Sequence, residues 1–202
     1  MRRAAARRIA LMLGLAGLLL ASATPAVGPA SEKEEAAVDL EVEGPWTHPS
    51  GMVFPERAAG FARVSVSQLP GAEHHSGAGY ELADGREKLA SVTVYVYPNA
   101  GLGIDDHFER VVADVAGSHG SPPRSRGTVA VEQQGTMANG RAASWAYREA
   151  FGRREQDLES RVLLFVRGPW FVKYRVTYVN GARGRVEAEI DDLLRALLMP
   201  PE

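Results

Sequence analysis

Alternation of apolar and polar residues with a period of two dominates this chain. Ala62, Val64 and Val66 fall on one face of a segment whose other face is Arg63, Ser65 and Ser67, which predicts a half-buried strand. Tyr80 to Leu82 and Leu89 to Tyr97 lie either side of Asp84-Gly85, a pair that accepts positive φ and predicts a hairpin. Val129 to Gln134 and Arg141 to Phe151 flank Asn139-Gly140, which predicts a second hairpin. Val162 to Arg167 and Trp170 to Val179 are joined by Gly168-Pro169. Links this short connect antiparallel neighbours, because a parallel return needs a crossover of a dozen or more residues.

Two segments switch to the helical period. Ile104, Phe108, Val111, Val112 and Val115 form one apolar stripe, with Asp105 and Asp106 in the first turn, where negative charge suits the helix dipole. Val186, Ile190, Leu193, Leu194, Leu197 and Leu198 repeat the pattern, and Pro200 ends it. Val162-Leu163-Leu164-Phe165-Val166 is apolar on both alternating faces, and Val92 to Tyr97 is nearly so. Strands without a wet face must be covered twice. The expected fold is therefore α+β: an antiparallel sheet of about six to eight strands with two main helices packed on it, in the order ββββαββββα.

The N-terminus is patterned differently. Arg2, Arg3, Arg7 and Arg8 precede an apolar run from Ile9 to Leu20, and small residues then offer cleavage after Ala23 or Ala26. That is the layout of a secretory signal, and the run is shorter than the roughly 20 residues that span a bilayer. The expected organisation is a signal peptide over 1–26, an acidic flexible tether over 27–44 and a single domain over 45–202. In the tether Glu32, Glu34, Glu35, Asp39, Glu41 and Glu43 face a single Lys33, too little apolar surface to offset the entropy of ordering. The expected product is periplasmic or secreted, with no stable membrane span once the signal is removed.

Composition narrows the chemistry. With no Cys, the chain has no disulfide, no thiolate metal site, no Cys nucleophile and no lipidated Cys. A net charge of -2 gives no basis for nucleic-acid binding. Only three of the 23 basic residues are Lys: Lys33, Lys88 and Lys173.

No catalytic constellation emerges, and no cofactor is expected. Gly101-Leu102-Gly103 stands between a strand and a helix as a dinucleotide loop would, but Asp106 replaces the third glycine and two aspartates would repel a pyrophosphate. There is no Gly-x-Ser-x-Gly. His74 and His75, in a Gly-rich loop, are candidate metal ligands, which His107 on the first helix and His119 in a Gly-Ser-Pro loop join only if the fold converges them. The most informative segment is Trp170 to Val179. Phe171, Lys173, Arg175 and Thr177 share one face, where the two cations either meet an anionic ligand or acidic partner or pair across the ladder with Glu149 or Glu159. Trp170 falls on the other face and is expected in the core. Tyr95 and Tyr97 either line a pocket between sheet and helix or sit as core beneath the helix. The loops at 71–79 and 117–127 are further candidate contact regions.

The segment Gly168-Pro169-Trp170-Phe171-Val172-Lys173-Tyr174-Arg175-Val176-Thr177-Tyr178, the opening His48-Pro49-Ser50-Gly51-Met52-Val53-Phe54-Pro55, and Val92 to Pro98 resemble small exported bacterial proteins of unknown function. The order of elements is similar to the PsbP-like α/β/α sandwich, a group with a photosystem extrinsic subunit, a Ran-binding protein and bacterial envelope proteins. The resemblance implies partner binding or assembly and supplies no catalytic motif, so no residue role carries over. This chain lacks the lipid-anchor Cys of some envelope members, which implies a freely soluble form.

The expected function is that of an exported, soluble, non-catalytic binding or assembly module of the cell envelope, whose partner is an envelope protein or a small ligand. A small-ligand carrier and a metal-assisted envelope hydrolase are the alternatives. N-terminal sequencing of the protein recovered from its own cell is expected to start at Thr24 or Val27; a product that retains residues 1–20 would overturn the signal reading.

Overall fold

The structure is a computed structural model and describes residues 38–69 and 72–200. The predicted signal segment, both cleavage positions and residues 27–37 of the acidic stretch lie outside the described residues. In chain order the elements are β1 (Val38–Asp39), β2 (Trp46–Thr47), β3 (Val53–Phe54), β4 (Arg57–Ala58), β5 (Phe61–Leu69), β6 (Ala72–Asp84), β7 (Glu87–Pro98), α1 (Ile104–His119), β8 (Ser125–Gln133), β9 (Thr136–Phe151), β10 (Arg154–Arg167), β11 (Trp170–Val179), a 3-10 turn over Asn180–Ala182, and α2 (Arg183–Ala196). None of the described helices is long and apolar enough to cross a membrane.

This overturns the α+β sandwich in the order ββββαββββα. Strand takes 56% of the described residues and helix 21%, and nine strands form one antiparallel sheet. Seven strands precede α1, where four were expected. Four of the seven are two residues long, too short for a period of two to register in the sequence. The stretch from Ser76 to Gly79, rich in Gly and Ser, has little intrinsic strand preference and is a strand because β5 and β7 pair with it on either side. His74 and His75 lie on the same strand, just ahead of that stretch, not in the expected loop.

The sheet runs β1-β5-β6-β7-β11-β10-β9-β8, with β4 also on β5. It consists of two meanders, β5-β6-β7 and β8-β9-β10-β11, joined where β11 pairs antiparallel with β7 from Trp170↔Pro98 to Tyr178↔Ala90. Between the meanders the chain must travel from β7 to the far edge, four strand spacings or about 19 Å away. A helix of 16 residues, about 24 Å long, makes that crossing.

Two cores follow. On one face Tyr80, Val92, Val94, Val96, Val172, Tyr174, Val176 and Phe165 pack beneath α2 and beneath Met52, Phe54 and Phe61. On the other, Phe108, Val111, Val112 and Val115 of α1 cover Ala143, Trp145, Val162, Leu164 and Phe171. Strand β10 is buried on both faces from Val162 to Phe165. Strand β7 is not: Thr93, Tyr95 and Tyr97 are only half-buried, because α1 lies over β9, β10 and β11 and leaves the β5-β6-β7 half of that face without a helix. The expectation of double cover fails there.

Two local predictions also fail for identifiable reasons. Val64 is 57% exposed, although the alternation placed it with Val66 in the core. A register shift between Arg63 and Ser65 inserts an extra residue, so Phe61 and Val66 are both buried and Val64 is expelled. Asn139-Gly140 is not a turn. The turn is Gln134-Gly135, where both residues take positive φ, and Gly140 lies within β9, paired with Phe165. A Cβ on Gly140 would stand 2.5 Å from the Leu164 carbonyl oxygen and 2.7 Å from the Phe165 ring. The glycine serves close approach of β10, a requirement that the sequence expresses in the same dipeptide as a hairpin turn. Gly140→Ala is expected to destabilise the fold by about 1–3 kcal/mol, measured by urea unfolding; an unchanged midpoint would contradict this packing.

Candidate functional site

The alternation along β11 puts Phe171, Lys173, Arg175 and Thr177 on the face that α1 half covers. The β7–β11 register then sets Lys173 opposite Tyr95 and Arg175 opposite Thr93. Continuing outward, Tyr95 lies beside Gly77 and Ser67, and Thr93 beside Gly79 and Ser65. The result is a shallow surface of Ser, Thr, Gly and Tyr, with two cations along its inner border. Gly77 makes room for Tyr95, since a Cβ there would meet the Tyr95 ring at 3.2 Å.

The cations are held by uncharged partners. Lys173 Nζ stands 4.4 Å from the centroid of the Tyr95 ring and 5.8 Å from that of Tyr97, and it makes no hydrogen bond or ion pair among the described residues. Arg175 donates from Nε to Ser160 Oγ at 3.2 Å and from Nη2 to His119 Nε2 at 2.8 Å. A guanidinium can only donate, so His119 is a neutral ring with its proton on Nδ1. It packs on Tyr147 with 4.2 Å between centroids. The expected ladder pairing with Glu149 or Glu159 is not present. Glu159 points to the opposite face of β10, where it takes Arg161 at 3.0 Å and Arg183 at 3.6 Å.

A second group closes the border where α1 begins. His107 stacks on Phe171 at 4.2 Å, and its Nε2 lies 2.8 Å from Tyr97 Oη. His107 Nδ1 is buried without a partner, and an orphaned N–H is rarer than an unfilled lone pair. We therefore assign its proton to Nε2, donated to Tyr97. His75 approaches the same tyrosine at 5.6 Å. Tyr97 is thus part of the packing under α1, whereas Tyr95 belongs to the open surface.

Electrostatics follow from this environment. Burial and then the neighbouring Arg175 push the Lys173 ammonium below its ordinary pKa, opposed by the field of Asp114. His119 is lowered by burial and by Arg175, and His107 by burial and by Lys173 and Arg110. His75 is lowered by burial and by His74. Burial is the leading cause of each shift, and a neighbouring cation or histidine adds to it.

The candidate metal ligands do not converge. His74 and His75 are successive strand residues and face opposite ways, His74 toward Trp170 at 5.9 Å and His75 toward Tyr97. Among the described residues no group of three His, Cys, Asp or Glu side chains can hold an ion. Trp170 is half-buried at the margin of the core, edge-on to His48 at 5.2 Å, and Trp145 is the fully buried tryptophan. Of the 71–79 region, residues 72–79 form part of β6 and residue 71 lies outside the described residues; the 117–127 region is the end of α1, a short link and the start of β8.

His107, Ser160 and Tyr147 complete the site, and local pattern alone did not place them beside Lys173 and Arg175. A signal for His107 exists: it precedes Phe108 on the helix, at the border of the apolar stripe. His119 continues the stripe four residues after Val115.

Comparison of the chain with protein-family models, with curated proteins and with solved structures gives no match. The site therefore stands on its own geometry.

Lys173 carries a charge in a half-buried position without a counter-ion, so its removal is expected to stabilise the protein. Lys173→Met should add about 1 kcal/mol at neutral pH. Because the folded state binds the lysine proton more weakly than the unfolded chain does, the penalty is full while both states are charged and disappears once both are neutral. The advantage of Lys173→Met should therefore shrink as pH rises toward about 10.4, the unperturbed lysine value. Urea unfolding of both proteins at several pH values measures it, and a destabilised variant would contradict the reading.

Proposed function

We propose that this chain is an exported, non-catalytic binding module that holds an acidic segment of an envelope protein on the open half of its sheet. One observation carries the reading: Lys173 and Arg175 lie side by side, half-buried, and neither has a carboxylate partner among the described residues. Leaving two cations partly desolvated costs stability, and an incoming anion recovers that cost as binding energy. Tyr95 supplies a flat apolar contact with a hydroxyl at its tip, and Ser65, Ser67 and Thr93 supply hydroxyls for the partner's backbone or side chains.

The breadth of the surface favours a macromolecular partner over the small-ligand carrier. Its residues spread over β5, β6, β7 and β11 as a shallow sheet face, whereas carriers enclose most of a ligand's surface. The hydrolase alternative needs convergent ligands or an activated nucleophile, and His74, His75 and His119 are held apart in aromatic packing. The resemblance to the PsbP-like group is compatible with partner binding and assigns no residue to it. Export rests on the N-terminal pattern alone.

The test is a cross-linked pull-down from envelope and medium fractions, comparing wild type with the double variant Lys173→Met, Arg175→Gln. The proposal expects one stoichiometric protein captured by the wild type, lost at high salt and lost in the variant, and retained with chelator. Capture that is equal for the two proteins would overturn it.

A further inference from the structure

The two edges of the sheet are treated differently. Strand β5 is flanked at one end by β4, through Arg57↔Ala62 and Ala58↔Phe61, and at the other by β1, through Val38↔Gln68 and Asp39↔Ser67. Strand β8 has β9 on one side and, among the described residues, no strand on the other. Exposed edges are ordinarily blunted by Pro, Lys, a bulge or shortness. The nine residues of β8, Ser125-Arg126-Gly127-Thr128-Val129-Ala130-Val131-Glu132-Gln133, contain neither Pro nor Lys, and their ladder with β9 runs without a register shift.

The edge is also held rigid. Val131 is buried, and Gln133 Nε2 donates to the carbonyl oxygens of Leu194 at 2.6 Å and Leu197 at 2.9 Å, which ties the end of β8 to α2. At the other end Arg126 Nη1 donates to both carboxylate oxygens of Glu109 on α1 at 2.8 Å. A strand fixed on both faces loses little entropy when its outer backbone groups are paired.

We propose that two copies of the chain pair antiparallel through β8, about a two-fold axis at Val129, to make one continuous sheet. The sequence of the strand is self-complementary in that register. Ser125 meets Gln133, Arg126 meets Glu132, Gly127 meets Val131 and Thr128 meets Ala130, so all nine residues are used. The strand's only two charges neutralise each other twice. Arg126 and Glu132 are an even number of residues apart and share a face of the sheet, as a cross-strand pair requires. Only Nη1 of Arg126 is engaged by Glu109, so Nε and Nη2 are available to the second copy's Glu132. A two-fold axis perpendicular to the sheet produces antiparallel pairing of identical edges and closes the assembly at two. This inference rests on β8 alone. It places the two Lys173 surfaces on the halves of the sheet remote from the junction, so a dimer is bivalent toward its partner.

A nine-residue strand pair is a small interface, so the association is read by sedimentation velocity of the purified chain across the micromolar range. Wild type is expected at twice the mass of its single chain. Glu132→Arg and Arg126→Glu should each sediment as single chains, because each sets like charges opposite one another twice. An equimolar mixture of the two should return to the dimer mass, since every cross-strand pair is then complementary. Wild type that is monomeric throughout would overturn the proposal, as would a single variant that dimerises like wild type or a mixture that stays monomeric. Should a charge variant fail to fold, Val129→Cys decides the question. The chain has no cysteine of its own, and residue 129 meets itself across the axis. Oxidation should then link Val129→Cys into covalent dimers while leaving Ser125→Cys, which faces residue 133, unlinked. Equal linkage of the two would overturn the register.

Discussion

The pairing of β11 with β7 is the contact on which the rest of the structure depends. These strands are more than seventy residues apart in sequence, and their ladder joins the two meanders into one sheet. It sets Val172, Tyr174 and Val176 beside Val96, Val94 and Val92 in the core under α2. On the reverse face it sets Lys173 and Arg175 beside Tyr95 and Thr93. A single register thus fixes both the centre of the core and the composition of the site. A slip of one residue would exchange the two faces and bury both cations beneath α2.

The same connection explains why one half-face is open. To bring β11 back against β7, the chain must first reach the far edge of the sheet, and α1 makes that journey across β11, β10 and β9. Its apolar stripe is consumed there, over Trp145, Val162, Leu164 and Phe171. The β5-β6-β7 half receives no helix on that side, and the residues around Tyr95 and Thr93 are accordingly small or hydroxylated. Polar residues with exposed backbone neighbours tolerate this, whereas an apolar surface of that extent would promote aggregation. Lys173 and Arg175 stand at the line where α1 ends and the open surface begins. There they are dry enough to feel their lack of counter-ions and accessible enough for a partner to supply them.

Much of this was legible in residue order, and the failures have physical causes. The apolar stripe of α1, that of α2 as far as Leu197, and the doubly apolar Val162 to Phe165 were readable because burial there is set by local periodicity, whereas Leu198 lies past the end of α2 and is exposed. The shared face of Phe171, Lys173, Arg175 and Thr177 follows from alternation in the same way. Their neighbours were not readable, because Tyr95, Ser160 and His119 come from β7, β10 and α1, and long-range pairing is not written in a local pattern. The Gly- and Ser-rich stretch from Ser76 to Gly79 carries no strand signature, since flanking strands impose its conformation. Asn139-Gly140 misled because a glycine required for close strand approach has the same letters as one required for a turn. The four two-residue strands are pairing events without a period, and their omission is what made an all-antiparallel sheet of nine strands read as a smaller α+β layer.

The central claim is that β11 presents an uncompensated cation against Tyr95 on an open sheet face. NMR titration of the lysine side-chain ammonium groups addresses it most directly, because the chain has only three lysines, Lys33, Lys88 and Lys173. The account predicts that the Lys173 resonance, assigned by its loss in Lys173→Met, both carries an aromatic ring-current shift and titrates below the ordinary lysine range. A Lys173 signal without ring-current shift, titrating with free lysine, would contradict it.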